Sequence, residues 1–360
     1  MEPYGPVTDG GWVPDVLGPG FQQRTLPLLD DDEGPVVATL VRHVPPEDPE
    51  AHPDTPTTIT FVALWLHGWN DYFHQRELAR TVARLGGAFY ALDLRKYGRS
   101  LREWQMHGYV NSLSVYDEDL HEALAVIREE TGVGTDLVLM GHSTGGLTAS
   151  LWAHRHPGAL RALVLDSPWL ELQGSTVFRA LGTQIVETLT RFAPTAAMPL
   201  PEAGFYNRIL NGWTEEDGER PEGTEGDPFY DGWQTDPRWR TQPSFPIRPG
   251  WLAAVRAGHG QVAGGLEITC PILVLSSART NFSTKWVSEL RSVDTVLDVE
   301  QIAQRSLRLG PLVTLARFED AIHDVFLSRR TVRERVYAEL DRWFRAYVLR
   351  APAPPTAPTP

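Results

Sequence analysis

The chain has 360 residues, of which 42% are hydrophobic and 22% charged, a composition typical of a globular protein. This length accommodates one large domain with an insertion, or two domains. The formal net charge is −13 at pH 7 and no basic patch is visible, which argues against a nucleic-acid partner.

The first half of the chain alternates between strand-like and helical patterns. The N-terminal sequence MEPYGPVTDGGW lacks the pattern of a signal peptide. Strands are predicted at 36–42 and 58–66, on either side of a proline-rich surface loop at 44–57. Helices and strands then alternate over residues 75–85, 88–94, 117–130, 137–140, 146–154 and 160–165. This order predicts an α/β fold with a mostly parallel sheet and helices on both faces.

The alternation is interrupted between Ser167 and Cys270. A helix is predicted at 177–192, and an irregular stretch rich in proline, glycine and acidic residues follows it. Disordered segments are poor in aromatic residues, whereas this stretch contains four tryptophans, Trp213, Trp233, Trp239 and Trp251. We therefore predict that residues 173–265 form a cap inserted into the sheet domain.

The sheet domain is predicted to comprise residues 1–172 and 266–349. Its second part contains strands at 272–275 and 312–318 and a closing amphipathic helix at 332–348. The proline-rich residues 350–360 are predicted to form a disordered tail. No run of about 18 apolar residues occurs, so stable membrane insertion is not expected. The single cysteine, Cys270, precludes an internal disulfide and favours a reducing, cytoplasmic location.

The segment Gly141-His142-Ser143-Thr144-Gly145 lies between a predicted strand and a predicted helix. A Gly-x-Ser-x-Gly in this context is typical of the nucleophile elbow of a serine hydrolase, and the alternative is a glycine-rich turn with an idle serine. So tight a turn predicts a strained backbone at Ser143, with glycines where side chains would collide with the neighbouring strand and helix. We expect Ser143 to be the nucleophile.

Two further segments fit this chemistry. His323 follows the last predicted strand and precedes the final helix, where the general base of such an elbow is expected. The backbone N–H groups of Trp69 and Thr144 are predicted to form the oxyanion hole. His67 is interpreted as structural, and the charged residues of the segment 93–100 as loop-shaping. No histidines form a convincing metal cluster, and the chemistry requires no metal or organic cofactor.

Four segments together resemble the α/β-hydrolase superfamily, in particular its branch of monoacylglycerol lipases, lysophospholipases and serine aminopeptidases. They are His-Gly after a strand, Asp-x-Arg-x-x-Gly-x-Ser, Gly-His-Ser-x-Gly-Gly and a late Gly/Ala-x-His-Asp, at 67–68, 93–100, 141–146 and 321–324. The resemblance covers about residues 58–168 and 265–348. It implies the α/β-hydrolase fold and a Ser-His-Asp triad.

The acid of the triad departs from the pattern of that branch. Its members usually carry the acid a few residues after the strand that matches 272–275, but residues 276–280 contain no carboxylate. The pattern Asp-x-Val-x-Asp recurs at Asp294 and Asp298, after an extended loop. We predict Asp294 as the acid, because Asp298 precedes a predicted helix at 299–308 and suits its N-cap. Asp324 is a third candidate, but it is adjacent to His323 and sterically awkward as its partner.

These features favour hydrolysis of carboxylic esters through an acyl-enzyme. Amide or peptide, thioester and C–C hydrolysis by the same triad remain alternatives, as does a non-catalytic binding protein with this fold. The expected partner is a small-molecule acyl substrate, and no oligomeric state follows from the sequence. Trp213 and Trp251 are predicted to line an apolar substrate pocket, unless the cap merely covers the sheet edge. Acidic residues at 215–219 argue against docking on an anionic membrane.

Overall fold

The computed structural model describes residues 10–172, 183–198 and 204–349. Within these ranges nine strands form one sheet in the order β1-β2-β3-β5-β4-β6-β7-β8-β9. Neighbours from β1 to β5 in this order are antiparallel, and all those from β5 to β9 are parallel. The strands are β1 (Val13–Pro14), β2 (Phe21–Pro27), β3 (Val37–His43), β4 (Phe61–Leu66), β5 (Gly87–Asp93), β6 (Asp136–His142), β7 (Ala162–Asp166), β8 (Ile272–Ser277) and β9 (Val313–Phe318).

Helices cover both faces of this sheet. They are α1 (Arg76–Arg84), α2 (Tyr116–Thr131), α3 (Thr144–Arg155), α4 (Thr183–Phe192), α5 (Phe205–Leu210), α6 (Pro228–Asp231), α7 (Pro249–Gly264), α8 (Val299–Ser306) and α9 (Arg330–Tyr347). Side chains alternate along each buried strand because successive residues point to opposite faces. In β4, Leu64 and Leu66 pack in one core with α2, α3 and α7, whereas Ala63 and Trp65 pack in the other with α1 and α9.

The predicted α/β fold with a mostly parallel sheet is confirmed. Every strand predicted from the sequence corresponds to one of β3 to β9, with ends that differ by a few residues. The helix predicted from residue 146 begins earlier, at Thr144. Strands β1 and β2 were not predicted, since polar residues interrupt β2, whose sequence is FQQRTLP. They extend the antiparallel side of the sheet.

The insertion, residues 167–271 between β7 and β8, carries α4 to α7 in its described parts. The stretch predicted to be irregular thus contains helices, and α7 places Trp251 and Val255 in the core beside the sheet. Residues 177–182 of the predicted helix, and the predicted tail at 350–360, lie outside the described residues. No helix in the described ranges is long and apolar enough to cross a membrane.

Candidate active site

The loop between β6 and α3 is a sharp elbow at Ser143. This serine has φ 51° and ψ −115°, a left-handed conformation that is strained for a residue with a side chain. A Cβ atom on Gly141 would lie 2.6 Å from the carbonyl oxygen of Gly145, and one on Gly145 would lie 2.3 Å from that of His67. Glycine is therefore required at both positions, as the tight turn predicts.

His323 and Asp294 lie together at the edge of the sheet that is formed by the carboxyl ends of the parallel strands, in the loops that follow β9 and β8. His323 Nδ1 is 2.8 Å from Asp294 Oδ2, and the two side chains are 3% and 0% exposed. The other carboxylate oxygen accepts the N–H groups of Val296 and Leu297 at 2.7 and 2.8 Å. Because Asp294 accepts the hydrogen on Nδ1, the Nε2 lone pair of His323 is left to accept a proton.

The chain makes a long excursion before it reaches Asp294. Asp294 pairs with Thr280 in a parallel bridge, and its N–H donates to the carbonyl of Arg279 at 2.9 Å. Residues 281–293 therefore leave the end of β8 and return to it, which explains the delayed position of this carboxylate. Asp298 accepts the N–H of Glu300 at 3.0 Å as the N-cap of α8, so its predicted capping role is confirmed.

The loop after β4 passes close to the elbow. A Cβ atom on Gly68 would lie 3.2 Å from Cβ of Ser143, so the backbone leading to Trp69 approaches the serine closely. Thr144, the other predicted oxyanion donor, is the first residue of α3, where backbone N–H groups have no partner within the helix. Within the described residues, neither Trp69 nor Thr144 donates its N–H to a carbonyl of a turn or loop.

Hydrogen bonds tie this loop to the insertion. The side chain of Asn70, a residue with φ 53°, donates to the carbonyl of Thr241 at 2.9 Å and accepts its N–H at 3.1 Å. Arg240 forms an ion pair with Asp71 at 2.7 Å, with both side chains buried. The hydroxyl of Tyr72 accepts the N–H of Asp236, also at 2.7 Å. These contacts join the loop beside Ser143 directly to the insertion.

Aromatic side chains add a second contact between the same loop and the insertion. The ring of Trp69 lies 3.9 Å from that of Trp251 and 4.2 Å from that of Phe245, measured between centroids. Trp251 also lines a narrow cavity together with Thr144 and Val255. Of the two tryptophans predicted to bind substrate, Trp251 therefore lies beside the elbow.

Trp213 has different surroundings. Its ring packs against Tyr230 at 5.3 Å and under the guanidinium of Arg291 at 5.0 Å, and its indole N–H donates to the carbonyl of Gly218 at 3.1 Å. These contacts hold the insertion against the excursion that precedes Asp294. They do not connect Trp213 with the cavity beside Thr144.

His67 has a structural environment. Its Nε2 accepts the N–H of Leu94 at 3.1 Å while Nδ1 donates to the carbonyl of Gly68 at 2.8 Å, which defines a neutral tautomer with both nitrogens occupied. In the segment 93–100, the buried Arg99 pairs with Asp93 and Asp15 at 2.8 and 2.6 Å. These residues brace neighbouring loops, as the sequence predicted.

Similar proteins identify the family of this chain. The family described as serine aminopeptidase, S33, matches residues 60–243, about half of the chain. The chain belongs to this family. The matched region contains the elbow, the loop after β4 and most of the insertion, whereas Asp294 and His323 lie beyond it.

Solved structures similar to this S33 family member share its α/β-hydrolase fold. A monoglyceride lipase from Saccharomyces cerevisiae aligns with a TM-score of 0.59 and 14% identity, over 97% of this chain and 99% of that one. A carboxyl esterase from Bacillus coagulans aligns with a TM-score of 0.57 and 15% identity, over 91% of this chain and 99% of that one. A monoacylglycerol lipase from Paleococcus ferrophilus aligns with a TM-score of 0.53 and 19% identity, over 81% of this chain and 97% of that one.

A curated relative of this family member covers less of the chain. The uncharacterized protein YnbC of Escherichia coli (strain K12) is 29% identical over 132 residues, which is 36% of this chain. The match spans about a fifth (21%) of the length of YnbC.

Sequence reasoning missed a buried polar group behind the elbow. His142, Asp166 and Asp324 each offer one ligand atom within 4.8 Å of the others, which makes them the one set of at least three such residues that could hold a metal in the described ranges. Asp324, the third candidate acid, accepts the N–H of Phe326 and the amide of Gln75, both at 2.9 Å. The carboxyl ends of parallel strands meet at one edge, so the position of Asp166 at the end of β7 was the available signal.

Proposed function

We propose that this protein is a serine hydrolase that cleaves carboxylic esters through an acyl-enzyme. Ser143 is the nucleophile, His323 the general base and Asp294 the acid that orients it. The observation that carries this proposal is the buried 2.8 Å contact between His323 Nδ1 and Asp294, at the same sheet edge as the strained Ser143 elbow. It leaves His323 in the tautomer that a general base requires.

The reaction follows from these positions. His323 Nε2 takes the hydroxyl proton of Ser143 while the Oγ atom of Ser143 attacks the acyl carbon. Asp294 stabilises the resulting imidazolium. The N–H groups of Trp69 and Thr144 bind the developing oxyanion. His323 then returns the proton to the leaving alcohol, and water repeats the cycle on the acyl-enzyme. The residues supply every proton transfer, so the proposed mechanism uses no cofactor.

The substrate is a small molecule with an acyl group. We place its acyl part beside Thr144, where Leu94, Leu147 and Trp251 line an apolar cavity of about 10 Å³, so these side chains have to move apart to admit an acyl chain. The similar structures of two lipases and a carboxyl esterase support an ester as the substrate class. The buried thiol of Cys270 and the absence of a second cysteine favour action in the cytoplasm.

Amide hydrolysis is the second candidate. The family that the chain belongs to is described as a serine aminopeptidase family, and the same triad can cleave an amide bond. The leaving group, an alcohol or an amine, distinguishes the two reactions.

A substrate panel with a covalent probe tests both candidates. Wild-type protein is treated with a fluorophosphonate and then assayed on p-nitrophenyl esters of graded chain length and on aminoacyl p-nitroanilides, with Ser143→Ala as the matched control. We expect labelling at Ser143 and a kcat/KM for the best ester that exceeds that of every anilide. Labelling with faster anilide cleavage would assign the amide reaction. Absence of labelling in a folded protein would contradict the proposal that the protein is a serine hydrolase.

A further inference from the structure

Tyr206, in helix α5 of the insertion, lies against the proposed base. Its ring meets that of His323 edge-on, at a centroid distance of 5.4 Å and an interplanar angle of 84°. The ring also packs with the apolar cluster that contains Ile322 and Leu327, which lie on either side of His323 in the chain. These contacts fix the position of the ring beside the imidazole, yet the mechanism proposed above gives Tyr206 no role.

The hydroxyl of Tyr206 is a buried hydrogen-bond donor. Its oxygen is buried and has no hydrogen-bond partner among the described residues. Such a hydroxyl costs free energy in the folded protein, because it has lost its hydrogen bonds to water. Burial and the nearby charge of Asp324 raise the pKa of Tyr206 well above the ordinary value of a phenol, about 10, and outweigh the opposite effect of Arg240. The hydroxyl therefore keeps its proton at neutral pH and can donate it to a bound molecule in a hydrogen bond.

The charges around this hydroxyl are already paired. The guanidinium of Arg240 lies 5.2 Å from the centroid of the Tyr206 ring, but it pairs with the buried Asp71 at 2.7 Å. The carboxyl group of Asp324 also acts on the hydroxyl. An anion bound here would lose its hydration without gaining an unpaired cation. These surroundings therefore favour an uncharged oxygen as the acceptor of the Tyr206 hydrogen bond.

The chemistry of the base indicates which part of the substrate lies beside Tyr206. His323 returns its proton to the leaving alcohol, so that alcohol has to lie against the imidazole. The acyl part is placed beside Thr144, where Leu147 and Trp251 contribute to an apolar lining. The two parts of the substrate thus face different surfaces, apolar side chains at the acyl part and a hydroxyl donor at the leaving alcohol.

We propose that Tyr206 binds the leaving alcohol, and that the enzyme prefers esters whose alcohol carries a second, uncharged oxygen that accepts a hydrogen bond from the Tyr206 hydroxyl. This inference rests on the proposed function, because it requires His323 as the base. A plain alkyl alcohol leaves the buried hydroxyl without a partner, whereas an ether or hydroxyl oxygen in the alcohol supplies an acceptor.

Two esters with the same acyl group test this preference. A 2-methoxyethyl ester and a butyl ester have alcohols of equal length, and they differ by an ether oxygen in place of one methylene. We expect the ratio of their kcat/KM values to fall about 3- to 10-fold in Tyr206→Phe. The difference in intrinsic reactivity cancels, because wild type and variant are compared on the same two esters.

Tyr230→Phe is the matched control for these kinetics. Tyr230 is also a tyrosine of the insertion with an arginine at its ring, Arg220 at 5.6 Å, but its ring packs against Trp213. The ratio of the two esters should stay within about twofold of the wild-type ratio in this variant.

Thermal unfolding of the free protein gives a second measurement, which does not depend on activity. Phenylalanine keeps the ring and its packing and removes only the buried hydroxyl. The melting temperature of Tyr206→Phe should therefore equal or exceed that of wild type. A fall of more than about 2 °C would show that the hydroxyl has a partner in the free protein, and this would overturn the inference.

The kinetic results separate this inference from the proposed function. An unchanged ratio in Tyr206→Phe, or an equal loss on both esters, would overturn the inference and leave the serine hydrolase in place. A 2-carboxyethyl ester that is cleaved faster than the 2-methoxyethyl ester would overturn the uncharged class of alcohol. Folded wild-type protein that neither cleaves an ester nor reacts with a fluorophosphonate would instead refute the proposed function, and with it the substrate named here.

Discussion

The sheet edge and the insertion above it are held in place by different kinds of interaction. At the edge, strand ladders and backbone hydrogen bonds fix the residues; the N–H of Ser143, for example, donates to the carbonyl of Asp166 at 3.0 Å. The insertion is attached to that edge largely by side chains, such as the ion pair of Arg240 with Asp71 and the contact between the tilted rings of Trp251 and Trp69. This difference supports the proposed division of roles, in which residues at the edge carry out the chemistry and the insertion selects the substrate.

The insertion also contacts the loop that leads to Asp294. Arg291, in the excursion before Asp294, is buried and pairs with Asp217 of the insertion at 2.8 Å, and it also donates to the carbonyl of Gly212 at 2.6 Å. Burial raises the pKa of Asp217, but hydrogen bonds from Arg291 and Thr214, together with the charge of Arg291, outweigh it and hold this pKa down at about 2. The insertion therefore also supports the loop that delivers the acid.

The largest effects are expected at the sheet edge. Ser143→Ala and His323→Ala should each reduce kcat by about 10⁴- to 10⁶-fold, and the double variant should be hardly worse, because the two residues act as a unit. Ester hydrolysis and circular dichroism of the four proteins would measure this. Independent losses that multiply in the double variant would place His323 outside the catalytic unit.

A change at the acid should be nearly as severe. Asp294→Asn keeps an oxygen for the N–H groups of Val296 and Leu297, but its amide would face Nδ1 and favour the wrong tautomer. We expect a loss of kcat of about 10⁴-fold with little change in melting temperature.

Asp298 provides the matched control for this acid. Asp298→Asn should stay active because asparagine also caps a helix, and Asp298→Ala should mainly lower stability, by about 1 kcal/mol in chemical denaturation. An inactive, well-folded Asp298→Asn would mean that the two aspartates have the opposite roles.

An intermediate effect is expected where the insertion meets the oxyanion loop. Asn70→Ala removes all three hydrogen bonds to Thr241 and disfavours the left-handed backbone, so the N–H of Trp69 should move. We expect kcat to fall by up to about 10²-fold, toward the loss seen when an oxyanion donor is removed. Asn70→Gly restores the backbone freedom alone and should recover part of the loss. Unchanged kcat in both variants would show that the insertion does not position this loop.

The smallest effect is expected within the insertion. Trp251→Ala should change the ranking of p-nitrophenyl esters by chain length while fluorophosphonate labelling persists, because the change enlarges the cavity beside Thr144. Trp213→Ala is the comparison variant, since its contacts are to Tyr230 and Arg291. If the ranking changes in both variants, the substrate pocket extends across the insertion. If it changes in neither, the insertion only covers the end of the sheet.

Sequence patterns were most informative where backbone periodicity determines the structure. Alternating strands and helices predicted the core, and the glycines around Ser143 predicted its strained turn. Local signals also distinguished Asp298, which caps α8, from Asp294. The contacts of Arg240 and Arg291 could not be predicted, because they join segments distant in the chain and have no periodicity. The same holds for helix α7, whose glycines and proline obscured its pattern.

The long separation of the active-site segments affects how the protein is made. His323 follows Ser143 by about 180 residues and lies in the loop after β9, so an incomplete chain that ends before this strand has the elbow without the proposed base. Translation proceeds at about 5–20 residues per second, so the serine leaves the ribosome on the order of ten seconds before the histidine. Under the proposed mechanism, the elbow therefore lacks His323 to take its proton during this interval, and we expect the nascent chain not to react with acyl compounds.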